Sequence, residues 1–277
     1  MSEAVLNFFI CNNKVYDTVA FDNVYVEEHP SVYEVIRLIN GVPLFLEEHF
    51  ERLISSATLL GYNLNITLEE IRKNIERIVE KNNVQNYNVK LVVNNLDETK
   101  KDMYYFFIES NYPDEDMYLK GVSVFLYNGE RENPNAKVIQ KHLRNKINEQ
   151  LKKEKCYEAL LVNSNGEITE GSRSNLFFIK DDIVFTAPSE DVLMGITRQR
   201  IIRLCSLNGI KVTESKIKVA ELDSFDSAFI SGTSPKVLPI SNIGDMKLST
   251  NNPLLRKIME IYDDEINSYI KFHKKTV

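Results

Sequence analysis

Apolar residues recur at three- and four-residue steps in some stretches of the chain and alternate or run together in others, and each change of pattern marks a new element. Residues 6–10 and 14–21 are β-favouring runs on either side of Asn12-Asn13, which predicts a hairpin. Beyond Pro30, Val32, Val35 and Ile36 fall at helical spacing up to Asn40-Gly41, so a helix is expected over 31–39. A second helix is expected over 45–61, with Phe50, Leu53, Ile54 and Ala57 forming its buried stripe and Arg52 at the stripe's edge. Thr67-Leu68-Glu69-Glu70 has the form of a capping box that starts a helix reaching about Val84. Strands at 88–93 and 103–109 complete a smaller N-terminal αβ domain, 1–112.

Polar residues around Pro113 suggest a linker at 113–120, and a larger β-rich domain with helices is expected over 121–277. It opens with a strand at 121–126 and crosses Asn133-Pro134-Asn135 to a helix beginning at Lys141, where Leu143, Ile147 and Leu151 line one face. A strand at 157–163 turns at Asn165-Gly166, a pair suited to positive φ, and a partner strand returns from Glu167 through Thr169-Glu170-Gly171-Ser172 to Phe177. Gly195 precedes a helix carrying Ile201, Ile202, Leu204 and Cys205 that stops at Gly209. Residues 228–230 form a buried strand leading into the small-residue loop Ser231-Gly232-Thr233-Ser234. The last helix, 253–271, is amphipathic through Leu254, Ile258, Ile261, Tyr262 and Ile266, which gives it a packing role.

Composition narrows the class. The 277 residues are 43% apolar and 27% charged, enough to bury cores in one large or two modest domains. The formal net charge of −6 is spread without blocks of one sign, which argues against a nucleic-acid surface or an anionic-membrane patch. There is no basic leader and no apolar run approaching the ~20 residues of a membrane span, so a cytoplasmic protein is expected. Cys11, Cys156 and Cys205 are odd in number and lack C-x-x-C spacing, so they are expected to be free thiols rather than disulfides or zinc ligands.

Lys141 opens one element and Glu170 ends another. A lysine amine can hold an aldehyde as a Schiff base, and a carboxylate beside a pyridine nitrogen keeps that ring protonated and electron-withdrawing. The start of the helix at Ile196-Thr197 offers unpaired N–H groups and the positive end of a helix dipole, a suitable cradle for phosphate. Arg52 offers a planar fork of donors that stays charged. The words around these residues, Glu158-Ala159-Leu160-Leu161, Thr169-Glu170-Gly171-Ser172-Arg173-Ser174-Asn175-Leu176-Phe177, His49-Phe50-Glu51-Arg52-Leu53 and Gly195-Ile196-Thr197-Arg198, resemble those of the class IV aminotransferases, the fold-type IV pyridoxal-phosphate enzymes.

That resemblance runs from Tyr33-Glu34-Val35-Ile36-Arg37 to Thr233, nearly the whole chain. It implies two αβ domains with pyridoxal 5′-phosphate between them and a homodimer acting on an amino acid and a keto acid. It also implies Lys141 as the catalytic lysine, Glu170 on the pyridine nitrogen, and Arg52, Ile196, Thr197 and Thr233 on the phosphate. Tyr33, Arg37 and Ser234 fall to the substrate. Aminodeoxychorismate lyase shares the fold and is the alternative, as is, more remotely, an inactive cofactor-free binding protein. The lyases carry a threonine where Val35 stands, which favours transamination. D-amino-acid enzymes place Arg-Gly where this chain has Asn94-Asn95. Branched-chain enzymes share the Gly232-Thr233 loop but usually carry glycine at the position of Val35 and an acid at that of Lys236, so L-branched-chain activity stays open. Many members follow the lysine with a tail ending in tyrosine; here the tail is His142-Leu143-Arg144-Asn145, and Arg144 or Asn145 is the candidate replacement.

Overall fold

The computed structural model describes residues 2–26, 30–131, 133–139 and 141–274, the side chain of Lys141 excepted. The chain forms two compact units: residues 1–111, 136–139 and 266–277 make up the first, and 112–135 and 140–265 the second. Compared with the expected division at 1–112 and 121–277, the first unit also takes in a short internal segment and the end of the last helix.

Six strands build the first unit's sheet: β1 (Val5–Cys11), β2 (Lys14–Asp17), β3 (Val32–Ile39), β4 (Val42–Pro43), β5 (Asn88–Asn94) and β6 (Asp102–Ile108). They are ordered β2-β1-β6-β5-β3-β4, and every pairing is antiparallel. The stretch expected to be a helix over 31–39 is instead β3, which is paired with β5 along most of its length. Val32, Val35 and Ile36 satisfy helical spacing by coincidence. Four of the segment's eight residues are β-branched and most are buried, as suits a strand covered on both faces. The hairpin β1–β2 forms with Asn12 and Asn13 both at positive φ. Its second strand ends at Asp17 rather than 21, because the Asp17 side chain accepts from Val19 N–H and turns the chain through a 3-10 turn into a short helix α1 (Phe21–Val24).

Two helices, α2 (Leu46–Leu59) and α3 (Leu68–Asn82), cover one face of this sheet. Leu46, Leu53 and Ala57 of α2 and Ile71, Ile75 and Ile78 of α3 pack with Ile36, Leu38, Val89 and Leu91. On α2, Phe50 and Ile54 are only partly buried; His49 and Ser56 take the deeper places beside Leu53 and Ala57. The capping box at Thr67 forms as expected, with Thr67 and Glu70 exchanging hydrogen bonds. The opposite face carries an aromatic cluster of Phe9, Phe21, Tyr33, Tyr104 and Phe106.

The second unit begins with α4 (Glu115–Lys120), capped by Asp114, where the sequence suggested a linker. Next come β7 (Val122–Asn128), α5 (Lys141–Glu154), β8 (Glu158–Val162), β9 (Glu167–Gly171), β10 (Asn175–Lys180) and β11 (Ile183–Thr186). Then follow α6 (Ile196–Leu207), β12 (Val212–Glu214), β13 (Ile217–Lys218), β14 (Ser227–Gly232), β15 (Lys236–Ile243), β16 (Met246–Lys247) and α7 (Pro253–Lys274), whose last turns belong to the first unit. The sheet runs β12-β11-β10-β14-β15-β7-β8-β9-β13, with β16 beside β15. It is mixed: β15–β7, β7–β8 and β11–β12 are parallel.

The helix from Lys141 forms and buries Ile147 against Phe125, Ala159 and Leu161. The hairpin at Gly166 (φ 71°) also forms, but the returning strand breaks after Gly171 and resumes as β10. The buried line of α7 is Leu255, Ile258, Tyr262, Ile266 and Ile270, one residue out of step with the expected Leu254 and Ile261. Cys11 and Cys205 are buried free thiols and Cys156 is half-buried. No helix among the described residues is long and apolar enough to cross a membrane.

Replacing Thr67 by alanine removes the acceptor for Glu70 N–H and is expected to lower stability by about 1 kcal/mol, read as a shifted urea midpoint with an unchanged slope.

Candidate active site

In the first unit, β3 sends alternate residues to opposite sides of the sheet. Glu34 and Ile36 face the helices, while Tyr33, Val35 and Arg37 share the other face. Glu34 is 1% exposed, a carboxylate in an apolar layer. It is tolerated because α2 brings two donors to it. Arg52 donates from Nε to Oε1 (2.8 Å) and from Nη2 to Oε2 (2.6 Å), and His49 Nδ1 lies 2.6 Å from Oε2. Burial alone pushes the Glu34 carboxyl up, but the Arg52 guanidinium and then the His49 ring outweigh it and hold its pKa down to about 2. Burial pushes His49 below its ordinary range in spite of Glu34, with the positive charges of Arg52 and Lys137 adding to the effect. At neutral pH the ring is therefore neutral, and its Nδ1–H donates to the ionised Glu34. Arg52, expected as a phosphate ligand, is thus held through Nε and Nη2 by Glu34.

In the second unit, Glu170 is 2% exposed at the end of β9. Arg131 Nε sits 3.0 Å from its Oε1, and Leu193 N–H donates to its Oε2 at 3.4 Å. Leu193 opens the turn that leads through Gly195 into α6. Asn175, the first residue of β10, donates from Nδ2 to Leu193 O (2.8 Å), and its Oδ1 lies so near Gly195 that a Cβ there would come within 2.0 Å. Only glycine fits. Having no side chain, Gly195 cannot cap α6, and the first-turn amides at Ile196 and Thr197 keep the anion-binding character of an uncapped helix start. Thr197 is 5% exposed and its hydroxyl pairs with Tyr262 OH at 3.3 Å.

The register Asn175↔Ser231 sets β14 and its exit loop, Gly232-Thr233-Ser234, beside the same strand. There Ser231 Oγ is buried with no hydrogen-bond partner. The structure therefore gathers Glu170, Ile196, Thr197, Thr233 and Ser234 around one end of β10. Arg52, Tyr33 and Arg37 belong to the first unit. Lys141 is the first residue of α5, but its side chain lies outside the described residues. In the tail that follows, His142, Arg144 and Asn145 are all exposed.

Several contributors escaped the sequence reading. Glu158, 4% exposed, accepts from Ser172 Oγ (2.5 Å), Ser174 Oγ (3.2 Å) and Arg173 N–H (3.3 Å), and so holds the turn that follows Glu170. Its signal was the acid opening an otherwise apolar strand motif. Arg131 and Tyr262 had no local signal, since each acts across the fold.

A family model described as amino-transferase class IV matches residues 31–243. The chain belongs to the class IV aminotransferase family. Membership carries the reaction class with it: a transaminase, as the resemblance implied. Among relatives, a Rickettsia bellii protein named "Probable branched-chain-amino-acid aminotransferase" is 28% identical over 254 residues, covering 87% of each chain. A D-alanine aminotransferase from Bacillus licheniformis is 27% identical over 233 residues, covering 80% of this chain and 82% of its own. A Thermobaculum terrenum branched-chain aminotransferase crystallised in its PLP form superposes with a TM-score of 0.80 at 20% identity, over 97% of this chain and 96% of that one, so the fold-type IV architecture is shared.

The buried Glu34 makes stability pH-dependent with a defined sign. Its folded pKa is depressed, so its contribution is full above the ordinary value of 4.5 and is lost as pH falls toward about 2. His49, also depressed, adds a loss that starts below 6.5. Glu34 accounts for roughly 3 kcal/mol of the acid-side loss. Urea unfolding followed from neutral pH down to about 3 should show this fall. Glu34→Gln should be less stable at neutral pH by about 3 kcal/mol and show a flattened acid limb, because Arg52 is left buried without its carboxylate.

Proposed function

We propose that the protein uses pyridoxal 5′-phosphate to move an amino group from an L-branched-chain amino acid to a 2-keto acid, and that it works as a homodimer. The observation that carries this reading is the buried Glu170–Arg131 pair beside the glycine-opened start of α6. One unit thereby presents a carboxylate for a pyridine nitrogen next to backbone donors for a phosphate. The donor set fits the cofactor: amides at Ile196 and Thr197, the Thr197 and Thr233 hydroxyls, and a position at Gly195 that only a residue without Cβ can fill. The orphaned Ser231 Oγ next to this loop points the same way, since a buried hydroxyl without a partner is rare.

When bound, pyridoxal phosphate supplies an aldehyde that takes up the amino group and a ring that draws electrons from the substrate Cα. The chain's own residues do the rest. Lys141 Nζ is the amine that would hold the aldehyde and would carry the proton from the substrate Cα. Glu170 would accept from the ring N–H, with Arg131 balancing its charge and Leu193 N–H fixing its orientation. Glu34 fixes the angle of the Arg52 fork, the side chain that would meet the phosphate. Tyr33 and Arg37 serve the substrate side, together with Ser234. Val35 has no hydroxyl to offer, which favours transamination over pyruvate elimination.

Purified protein should gain visible absorbance on addition of pyridoxal phosphate, and Lys141→Ala should lose both that band and activity, the latter by at least about a thousandfold. L-leucine, L-isoleucine or L-valine should bleach the wild-type band, and a 2-keto acid should restore it. Bleaching by D-alanine alone would move the protein to the D-specific group. Consumption of aminodeoxychorismate with pyruvate release would establish the lyase.

A further inference from the structure

The buried line of α7 is aliphatic except at Tyr262. That residue is 3% exposed, and a phenylalanine would fill the same space. A hydroxyl in such a line is unfavourable unless it is hydrogen-bonded, so its partner matters. The Tyr262 O–H donates to Thr197 Oγ1 at 3.3 Å, in the first turn of α6. One turn further along α7, Glu265 accepts from both Arg200 and Arg203 of α6. Tyr262 and Glu265 thus share one face of α7, and Thr197, Arg200 and Arg203 share one face of α6. The ion pairs hold the two helices together, which leaves the phenolic hydroxyl unnecessary for docking.

A threonine hydroxyl has one proton to give and two lone pairs to fill. Thr197 is 5% exposed, and Tyr262 fills one of its lone pairs. Among the described residues, no acceptor takes the Thr197 proton. Inside a helix that proton commonly goes to a carbonyl of the preceding turn, but Thr197 stands in the first turn and makes no such bond. Ser231 Oγ, at the same end of β10, is also buried without a partner. Together with the first-turn amides, these hydroxyls make a set rich in donors. It suits a ligand that chiefly accepts, and a phosphate monoester brings three acceptor oxygens.

We propose that Tyr262 is a positioning residue for the phosphate of the cofactor. By donating to Thr197 Oγ1, it turns a hydroxyl that could give or take a hydrogen bond into one whose proton is kept for the phosphate. The two bonds run in one direction, phenol to threonine to phosphate, so each polarises the next. No proton is transferred and no covalent bond changes. The inference rests on the pyridoxal phosphate reading of the α6 start and extends it to α7, to which the sequence assigns packing alone.

The test uses the full chain freed of cofactor, titrated with pyridoxal phosphate and with pyridoxal, which has the same ring and aldehyde but no phosphate. Binding is followed by visible absorbance. Tyr262→Phe should weaken pyridoxal phosphate by at least about fivefold and leave pyridoxal unchanged. Thr197→Val should weaken pyridoxal phosphate at least as much, and adding Tyr262→Phe to it should cost less than about twofold more, because the phenol acts through the threonine. Phosphorus NMR of the bound cofactor gives a readout that packing does not move. A lost donor disfavours the dianion, so the titration midpoint of the phosphate should rise in Tyr262→Phe.

Equal weakening of pyridoxal phosphate and pyridoxal in Tyr262→Phe would show a packing role and overturn the proposal. Full additivity with Thr197→Val, or an unmoved phosphorus titration, would do the same. If Tyr262→Phe does not melt cooperatively, Tyr262→Met, which also lacks the hydroxyl, decides the matter on the same ratio of affinities. Wild-type protein that binds no pyridoxal phosphate would sink the cofactor reading itself, whereas tight binding that Tyr262→Phe leaves intact would sink this inference alone.

Discussion

Glu34 is the constraint around which the first unit is built. A carboxylate on a central strand, facing an apolar layer, is unfavourable until every lone pair has a donor. Here the donors come from one helix, at two positions three residues apart: His49 and Arg52 lie on the same side of α2, and both reach the same acid. Satisfying Glu34 therefore fixes how α2 is rotated on the sheet. The apolar contacts of Leu46, Leu53 and Ala57 determine that the helix docks, and the charge network selects the rotation. A helix turned by a third of a turn would strand the acid.

The second unit repeats the device with other partners. Glu158 gathers the hydroxyls and amide of the turn after β9, and Glu170 ties Arg131 to the turn before α6. Each buried acid converts a flexible connection into a fixed one. The economy is geometric, because a carboxylate accepts several hydrogen bonds and can hold two segments at once. The resulting rigidity lies where the candidate cofactor ligands sit, on the residues flanking Glu170 and Gly195, which a site must hold to within a fraction of an ångström in order to act.

This arrangement explains what could be read from the sequence. Local devices were legible because their physics is local: the Thr67 capping box, the turn at Gly166, the helix starting at Gly195 and the stripe of α5 all appear where they were expected. The motif residues Glu170, Ile196, Thr197 and Thr233 were legible as words, and the fold brings them to one end of β10. What failed was the segment 31–39. Val32, Val35 and Ile36 fit a helix, and nothing within nine residues reveals that β5 will pair with most of it. Strand identity there comes from partners more than fifty residues away. Arg131 and Tyr262 were missed for the same reason, since each matters through a contact distant in sequence. Asp17 is the exception. Its capping of the turn at Val19 is local and was readable, but the β-favouring residues around it masked the signal.

Alternation along β3 also separates two roles that the motif compresses into five adjacent letters. Glu34 and Ile36 point to the helices and serve stability, whereas Tyr33, Val35 and Arg37 stand on the other face with Lys90 directly across from Val35. A residue at position 35 is therefore free to vary without disturbing the acid network one residue away. Valine there fills the face with an isopropyl group. It offers no hydroxyl for proton handling and takes more room than glycine would on the face it shares with Tyr33 and Lys90.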